Sequence, residues 1–424
     1  MAERRVLYLS NSHPRMQLGG AEVYSYDLFR AMREAGEFAP VLVARTTAAG
    51  HPRRASTSFF AVGDDPDQVL WKPRQYDDLM MTSHDKQEYT VQLRGLLQAY
   101  RPDVVHVQHL IGLGMDVLRL IKSVRPRTPI VYTLHEFLSI CHHHGLMLRT
   151  FSQELCRTAT PMRCHQCFEG ISPQQFFLRE RFVKAQLKNV DLFLAPSRLL
   201  LERYCEWGIP RDKIRFQRNG RSLPGPPLDD EAPPPTRIGF FGQLKAHKGI
   251  AVLLRAIQLL RAEGPTDVQL YVNGANLEAE GAEFARQVAG LIEDCGASVV
   301  FLGRYEPEEL SQRMRQVAWV VVPSIWWENS PLVIQEAFLH RRPVICSDVG
   351  GMAEMVSDGA DGLHFRIGDA ADLAAVLRRA TASPETWERL RDGIRPPYTM
   401  AEAAADHAEI YRSLLAGAGA EDRR

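Results

Sequence analysis

Two glutamates separated by seven residues, Glu328 and Glu336, flank the predicted start of a helix. Ser330 is the predicted N-cap of this helix and Pro331 its first residue, where the missing N–H of proline costs nothing. The open amides of a helix N-terminus suit a phosphate, and a neighbouring carboxylate suits sugar hydroxyls, which donate hydrogen bonds to it. An anion and a polyol bound side by side describe a nucleotide sugar. The amides that we expect to contact it are those of Asn329, Ser330, Leu332 and Val333.

Neighbouring strands must hold these residues in place. The apolar run Trp319–Val322 predicts a strand before the helix, and residues 343–346 predict another after it, leading into the turn at Gly350 and Gly351. Alternating strands and helices indicate a parallel sheet, whose ligands bind outside the carboxyl ends of the strands. A bare pair of glutamates is more often two surface charges on an amphipathic helix. The strand, the cap and the helix together favour the ligand site.

This arrangement resembles the E-x7-E signature of the family 4 (group 1) retaining glycosyltransferases of the GT-B type. The resemblance implies an α/β protein with two doubly wound parallel-sheet, Rossmann-like domains facing a cleft, and a last helix that crosses back onto the first domain. It implies that Glu336 holds ribose hydroxyls and Glu328 the donor hexose. It also implies a nucleotide-diphosphate sugar as donor and no catalytic metal. By the same resemblance, the leaving diphosphate itself helps to deprotonate the acceptor.

A glycine-flanked loop at residues 242–249 is a second candidate phosphate site. Lys248 in this loop would neutralise the leaving group as its charge develops. The alternative is a solvated surface turn. The family pattern commonly has arginine where this chain has Gln243, so one of the two usual cationic contacts is absent. By resemblance, the turn at Arg304 contacts the nucleotide base through its backbone.

The first half of the chain carries its own candidate residues. Gly19 and Gly20 open a helix, and glycines there let a ligand approach the backbone; a pair alone is more often only a tight turn. His135 ends a predicted buried strand, a place suited to ligand contact. By resemblance, the two glycines face the donor, and His135 lies against the transferred sugar and the acceptor hydroxyl. His106 and His109, in the strand predicted over residues 103–109, could line the cleft, although a single histidine in such a strand is more often a packed residue.

Four of the seven cysteines fall within residues 141–167. The pair Cys164 and Cys167 has the spacing of half a tetrahedral zinc site, and Cys141 and Cys156 could supply the other half. The sequence thus predicts a structural zinc ion, with an iron–sulfur cluster as a variant. The alternative is a set of small buried hydrophobes beside a surface histidine run. A subgroup of the family resembles this chain in carrying such a cysteine-rich insertion in the N-terminal domain.

The length and the charge of the whole chain limit which domains and functions are possible. Its 424 residues suffice for two domains, and 51 acidic residues balance 51 basic ones, so nothing suggests nucleic-acid binding. We expect a first domain over 1–224 with 397–424, and a second over 237–396, joined by a proline-rich link. With no apolar span or leader, we expect a cytoplasmic protein.

Residues 174–187 form an amphipathic helix, with Phe176, Phe177, Val183 and Leu187 expected on one side. We expect this side to pack on a core. The alternative is a peripheral contact at the inner face of the membrane, where a lipid-linked acceptor would lie.

These observations predict a retaining hexosyltransferase acting in glycan, polysaccharide or glycolipid assembly. Its partners would be a nucleotide-sugar donor and a saccharide or lipid-linked saccharide acceptor. Two alternatives stay open: a nucleotide-sugar epimerase or phosphorylase on the same fold, and a non-catalytic nucleotide-sugar-binding subunit.

Overall fold

The computed structural model describes residues 4–16, 19–47, 58–73, 76–222 and 233–421. The chain divides into two compact units, Met1–Gly220 with Tyr398–Arg424, and Arg221–Pro397. The predicted proline-rich link at 223–236 lies largely outside the described residues. Each unit is described by itself below.

The first unit is built on a mainly parallel sheet. The strands of this unit are β1 (Arg4–Ser10), β2 (Phe38–Arg45), β3 (Phe59–Val62), β4 (Asp65–Trp71), β5 (Tyr76–Asp77), β6 (Thr82–Ser83), β7 (Val104–Val107), β8 (Ile130–Thr133), β9 (Leu192–Ala195) and β10 (Ile214–Phe216). Strands β5 and β6 pair with each other in a small sheet of their own. Apart from the last helix of the chain, the helices of this unit are α1 (Gly20–Ala35), α2 (Lys86–Tyr100), α3 (Asp116–Val124), α4 (Pro161–Cys167), α5 (Pro173–Leu187) and α6 (Arg198–Trp207). In the described part of the chain, the sheet has eight strands in the order β10-β9-β8-β7-β1-β2-β4-β3.

The second unit repeats the plan with a smaller sheet. Its strands are β11 (Arg237–Gln243), β12 (Gln269–Ala275), β13 (Val299–Phe301), β14 (Trp319–Val322), β15 (Val344–Ser347) and β16 (Gly362–Phe365). Its helices are α7 (Ile250–Ala262), α8 (Ala282–Cys295), α9 (Leu310–Arg315), α10 (Leu332–Leu339), α11 (Gly350–Met355), α12 (Ala370–Thr381) and α13 (Pro384–Gly393). As far as the structure describes this unit, its six strands are all parallel, in the order β13-β12-β11-β14-β15-β16.

Both sheets have a topological switch point, as doubly wound sheets do. In the second unit the strand order reverses between β11 and β14, and in the first unit between β1 and β7. The loops that leave neighbouring strands there diverge to opposite faces and open a crevice at the carboxyl edge. The predicted site residues Lys248 and Glu328 follow β11 and β14, and Gly19 follows β1. His109, for which a packed role was favoured, follows β7.

The last helix, α14 (Met400–Glu421), belongs to the first unit, as the sequence predicts. Its apolar side chains, among them Met400, Ile410 and Tyr411, enter the same core as Tyr24 and Leu28 of α1. Burying side chains of this size contributes about 1.5–3 kcal/mol each, so the helix is part of the fold of this unit.

Helix α5 packs as expected, with one difference. Phe176, Val183 and Leu187 are buried, but Phe177 is 48% exposed, which corrects its predicted place on the packed side. The helical period explains this, because residues 176, 183 and 187 share a face that position 177 leaves by about 100°. Within the described residues, no helix is long and apolar enough to cross a bilayer.

Candidate functional site

The centre of the site in the second unit is a buried ion pair between Lys248 and Glu328. Nζ of Lys248 lies 2.6 Å from Oε1 of Glu328, and the hydroxyl of Ser324 donates to the same oxygen at 2.8 Å. Burial raises the pKa of Glu328, but the Lys248 ammonium and the Ser324 hydroxyl outweigh burial, so the pKa of this carboxyl is lowered from its ordinary value. Glu328 is therefore ionised at neutral pH, and its charge holds the ammonium in place.

The two loops that carry this pair are joined through their backbones. The N–H of Ile325 donates to the carbonyl of His247 at 2.9 Å. Gly249 has a φ of +75°, and a Cβ there would overlap the carbonyl of Pro323. Only glycine fits a position that is both left-handed and this close to another backbone. The loop after β11 is thus fixed against the loop after β14, which brings Lys248 to Glu328.

Gly350 and Gly351 pack against the backbone of Glu328. The N–H of Gly351 donates to the carbonyl of Glu328 at 2.5 Å, and a Cβ on Gly351 would overlap the carbonyl of Asn329. Gly350 has a φ of +66° and also lies against the backbone of Glu328. The predicted turn at these glycines therefore shapes the loop that precedes α10.

The start of α10 differs from the prediction by one residue. The N-cap is Pro331, not Ser330, and helical geometry begins at Leu332. No side-chain hydrogen bond caps this helix in the structure. In the described residues, the backbone N–H groups of Ser330, Leu332 and Val333 donate to no backbone carbonyl, whereas that of Ile334 donates to Pro331. An uncapped helix start leaves these donors for an anion more openly than a serine cap would.

Glu336 is held by an arginine that sequence reasoning missed. Nε and Nη2 of Arg221 lie 3.1 and 2.7 Å from Oε1 of Glu336, and both side chains are largely buried. Tyr305 lies close to this pair, and burial raises the pKa of its hydroxyl well above the usual range. Glu336 thus lies on the inner face of α10 as a charged, oriented carboxylate, suited to accept hydrogen bonds from a diol.

The turn after β13 is fixed by Arg313, a second arginine that the sequence analysis did not identify. Nη2 of Arg313 donates to the carbonyl of Arg304 at 3.1 Å, and Nη1 donates to the carbonyl of Leu302 at 3.1 Å. The side chain of Arg304 is itself exposed and lies 3.5 Å from Glu306. Arg313 therefore fixes the backbone of this turn. Gln243 ends β11 and is partly buried.

In the first unit, His135 lies beside two other polar residues at the switch point. Its Nε2 lies 3.0 Å from Oε1 of Gln108, and its ring packs edge-on against Tyr24 at 5.5 Å. Burial and the nearby His109 lower the pKa of His135 to about 3, so the ring is neutral at pH 7. His109 itself lies 3.1 Å from Glu136. Burial lowers the pKa of His109, but Glu136 outweighs burial and the pKa is raised.

The glycine loop before α1 carries a further carboxylate. Gly19 is the N-cap of α1 and Gly20 its first residue. Glu22, two residues into the helix, accepts from Nδ2 of Asn11 at 2.7 Å and is buried. The residues Gly19, Glu22, His109 and His135 therefore lie around the carboxyl edges of β1, β7 and β8, whereas His106 is a packed residue, fully buried beneath them.

Comparisons with known proteins identify the chain. Residues 18–223 match the model described as Glycosyltransferase Family 4, and residues 235–383 match Glycosyl transferases group 1. This chain is a family 4 glycosyltransferase. It is 24% identical over 302 residues to the lipopolysaccharide 1,2-N-acetylglucosaminetransferase of Salmonella typhimurium, covering 65% of this chain and 75% of that protein. It is 32% identical over 268 residues to the D-inositol 3-phosphate glycosyltransferase of Nocardia farcinica, covering 58% of each.

The fold comparison agrees with the family. Anabaena HepE, crystallised in complex with UDP and glucose, matches with a TM-score of 0.66 at 17% identity, covering 97% of this chain and 100% of that one. At this identity the match shows the fold alone, which is GT-B. The predicted fold class and the predicted glycosyltransferase activity are confirmed.

The cysteine lobe of this glycosyltransferase does not form the predicted metal site. Cys141, Cys156, Cys164 and Cys167 line one small cavity. Within the described residues, however, no three His, Cys, Asp or Glu side chains are arranged to hold a metal ion. The zinc and iron–sulfur predictions are therefore not supported.

The residues that sequence reasoning missed share one property. Arg221, Arg313 and Gln108 each act through another candidate residue or its backbone. Arg221 directly follows the turn at Asn219 and Gly220, and Gln108 lies between the two histidines that the strand pattern did expose. Neither an arginine after a turn nor a glutamine in a buried strand carries a periodic signal, so only the structure reveals them.

Proposed function

We propose that this glycosyltransferase moves a hexose from a uridine-diphosphate sugar to an acceptor hydroxyl in glycan assembly, with retention at the anomeric carbon. The observation that carries the proposal is the Lys248–Glu328 pair, 2.6 Å apart beside the uncapped start of α10. A cation and open amides suit a diphosphate, and a fixed carboxylate beside them suits sugar hydroxyls. The UDP and glucose bound by HepE support this donor class.

The proposed roles follow from the geometry of each residue. Lys248 and the amides of Asn329, Ser330, Leu332 and Val333 take the diphosphate, with the backbone at Gln243, while Glu328 accepts from the hexose. Glu336 accepts from the ribose hydroxyls, and the backbone at Arg304 takes the base. His135, Gly19 and Gly20 take the sugar and the acceptor side. The donor is substrate, and the reaction as proposed takes no metal step.

The proposed step balances without a further reactant. The bond from the anomeric carbon to the diphosphate oxygen breaks as the bond to the acceptor oxygen forms on the same face. The acceptor proton passes to the leaving diphosphate. Lys248 and the helix amides stabilise the developing negative charge, which is where most such catalysis originates.

A donor screen tests the substrate. We expect UDP and one UDP-hexose to raise the melting temperature of the protein, and GDP, ADP and CDP to leave it unchanged at equal concentration. NMR of the glycoside product should show the anomeric configuration of the donor. Inversion would overturn the retaining assignment, and a shift with another nucleotide alone would overturn the uridine assignment.

Two further measurements separate the alternatives. An epimerase would change the sugar without an acceptor, and a phosphorylase would require inorganic phosphate. A binding subunit would bind UDP without turnover in the parent protein. The transferase predicts acceptor-dependent UDP release that phosphate does not stimulate.

We propose further that the lobe of residues 141–188 contacts an anionic membrane. Phe151, Met162, Phe177 and Leu178 are 65%, 60%, 48% and 56% exposed in this short segment. Of the seven arginines and lysines in residues 149–188, Arg149 and Arg179 are buried and five are at the surface, against three glutamates, in a chain whose net charge is zero. Exposed aromatics with basic neighbours favour the interface of an anionic bilayer, and a saccharide acceptor carried on a lipid would be met there.

Vesicle flotation tests this contact. We expect binding to vesicles containing 30% phosphatidylglycerol, loss of binding at high salt, and reduced binding in the variant Phe177→Ser/Leu178→Ser. The exposed pair Val91→Ser/Leu259→Ser, outside the lobe, is the matched control. Equal binding by both double variants would refute the assignment.

A further inference from the structure

A chain of buried polar side chains runs beneath His135 in the first unit. Oε1 of Gln108 lies 3.0 Å from Nε2 of His135, and Nε2 of Gln108 lies 3.2 Å from Nε2 of His106. Nδ1 of His106 in turn lies 2.6 Å from the hydroxyl of Tyr411 on α14. Gln108, His106 and Tyr411 are fully buried, whereas His135 is partly exposed. A polar chain inside a core is costly unless each member has its partner, so this one needs an explanation beyond packing.

The amide of Gln108 dictates where the ring protons are. Its nitrogen can only donate and its oxygen can only accept. Nε2 of His106 therefore accepts, both from this nitrogen and from the hydroxyl of Thr133 2.8 Å away, and the neutral ring has its proton on Nδ1, facing the hydroxyl of Tyr411. His135 donates from Nε2 to the amide oxygen, which puts the lone pair of the neutral His135 ring on Nδ1. The backbone N–H of Gln108 donates to the carbonyl of Leu9 at 2.8 Å, so the backbone that carries this side chain is fixed to the sheet.

We propose that Gln108 is a positioning residue that fixes the tautomer and ring orientation of His135, so that His135 acts in sugar transfer as a neutral ring. This rests on the proposed function only for the role of His135. The charged and titratable groups around the ring are His106 beneath it, His109 after β7, Glu136 after β8, and Tyr24 of α1. A neutral ring with one fixed N–H orients a hydroxyl without supplying a proton of its own.

The tautomer can be measured without any substrate. In protein labelled with 15N-histidine, we expect the His135 ring to show a protonated Nε2 and an unprotonated Nδ1 from pH 6 to 8, with His106 showing the opposite pattern. Difference spectra of His135→Asn and His106→Asn assign the two rings among the 14 histidines. A proton on Nδ1 of His135, or a protonated ring at pH 7, would overturn the proposal.

Substitution of Gln108 supplies the kinetic test. In Gln108→Leu the side-chain amide no longer fixes the tautomer, so we expect both forms of His135 and a fall in kcat of about tenfold, with the donor KM changed less than twofold. In Gln108→Glu the carboxylate accepts from both rings and raises the pKa of His135. We expect an acid limb in the pH profile of kcat that the parent lacks.

Gln68→Glu is the matched control. Oε1 of Gln68 lies 2.9 Å from Nε2 of His13 in the same unit, so the same substitution places a carboxylate beside another histidine. We expect it to change the His13 signals and to leave the pH profile of kcat unchanged. An unaltered tautomer in Gln108→Leu refutes the positioning role. If Gln108→Leu alters the tautomer but the parent protein has no transferase activity, the positioning role stands and the proposed function is refuted instead.

Discussion

At the scale of single residues, the site in the second unit contains charges that are already neutralised. Lys248 pairs with Glu328 and Arg221 with Glu336. In the proposed binding mode, a donor sugar would share Lys248 with Glu328, and ribose hydroxyls would share Glu336 with Arg221. Buried pairs are costly when one partner is lost, by about 3–5 kcal/mol, so we expect substitutions here to change stability as well as ligand binding.

Glu328→Gln separates the two roles of the first pair. Without the carboxylate, Lys248 is released for the diphosphate, so we expect UDP to bind more tightly by calorimetry. The hexose loses its charged acceptor, so we expect kcat to fall about 100-fold. Glu388→Gln, an exposed change on α13, is the control that should alter neither quantity. Weaker UDP binding with an unchanged kcat would contradict the assigned role of Glu328.

Comparison of UDP with 2′-deoxy-UDP tests the second pair. If Glu336 accepts from the ribose diol, the parent should bind the deoxy analogue about tenfold more weakly, and Glu336→Gln should bind both nucleotides nearly equally. Arg221→Gln should keep part of the discrimination but lose affinity, because the carboxylate is no longer oriented. Arg366→Gln, an exposed arginine in the same unit, should have no effect. Equal binding of both nucleotides by the parent would refute the ribose role.

The sequence predicted the acidic partners better than the basic ones. Glu328, Glu336 and Lys248 each lie in a motif with a strand or helix beside it, so position along the chain indicated position in the fold. Arg221 meets Glu336 from 115 residues away. No local pattern encodes such a pairing. Ser330 was expected as the cap from residue preference alone, but the helix begins after Pro331.

At the scale of elements, the loops at the switch point are packed backbone on backbone. Gly249 lies against Pro323, and Gly351 lies against Asn329. The alternation of strands and helices predicted both sheets, because each strand is an apolar run bounded by turn residues. This alternation could not predict the strand order, which depends on contacts between distant segments. It also did not predict the hairpin β3–β4, because apolar and polar residues alternate only weakly in those strands.

Gly351→Ala tests whether this packing positions Glu328. The added methyl group would overlap the carbonyl of Asn329, so the loop before α10 must move. We expect the free energy of unfolding of the second unit to fall by about 1–3 kcal/mol and kcat to fall at least tenfold. Gly290→Ala in α8 is the control, since nothing lies within 4 Å of its added Cβ, and it should stabilise slightly. A Gly351→Ala protein with parental stability and activity would show that the loop position is not critical.

At the scale of the whole molecule, the two units differ in what their cores contain. The first unit, closed by α14, buries the neutral histidines His106 and His407, with the neutral ring of His135 at the edge of its core. His407 stacks on His106 at 5.4 Å and is fully buried. The core of the second unit is formed by aliphatic and aromatic side chains such as Ile257, Trp319 and Trp387. The buried histidines predict that the first unit is the more sensitive to acid.

The pH dependence of stability therefore has a defined sign. Burial lowers the pKa of His407 to about 4 and that of His135 to about 3, so the folded first unit binds fewer protons than the unfolded chain. The stability this represents is fully present above the unfolded pKa of about 6.5 and is lost as pH falls toward 4, by about 1.4 kcal/mol per pH unit for each ring. His109 opposes this loss, because Glu136 raises its pKa and its contribution is present at low pH.

Hydrogen exchange, corrected for intrinsic rates, should show protection in β1 and α14 falling between pH 7 and 5 while protection in α7 stays constant. His407→Gln should reduce the pH slope of the first unit, and the exposed His84→Gln should not. Equal loss of protection in both units would mean that the acid sensitivity has another source than these buried rings.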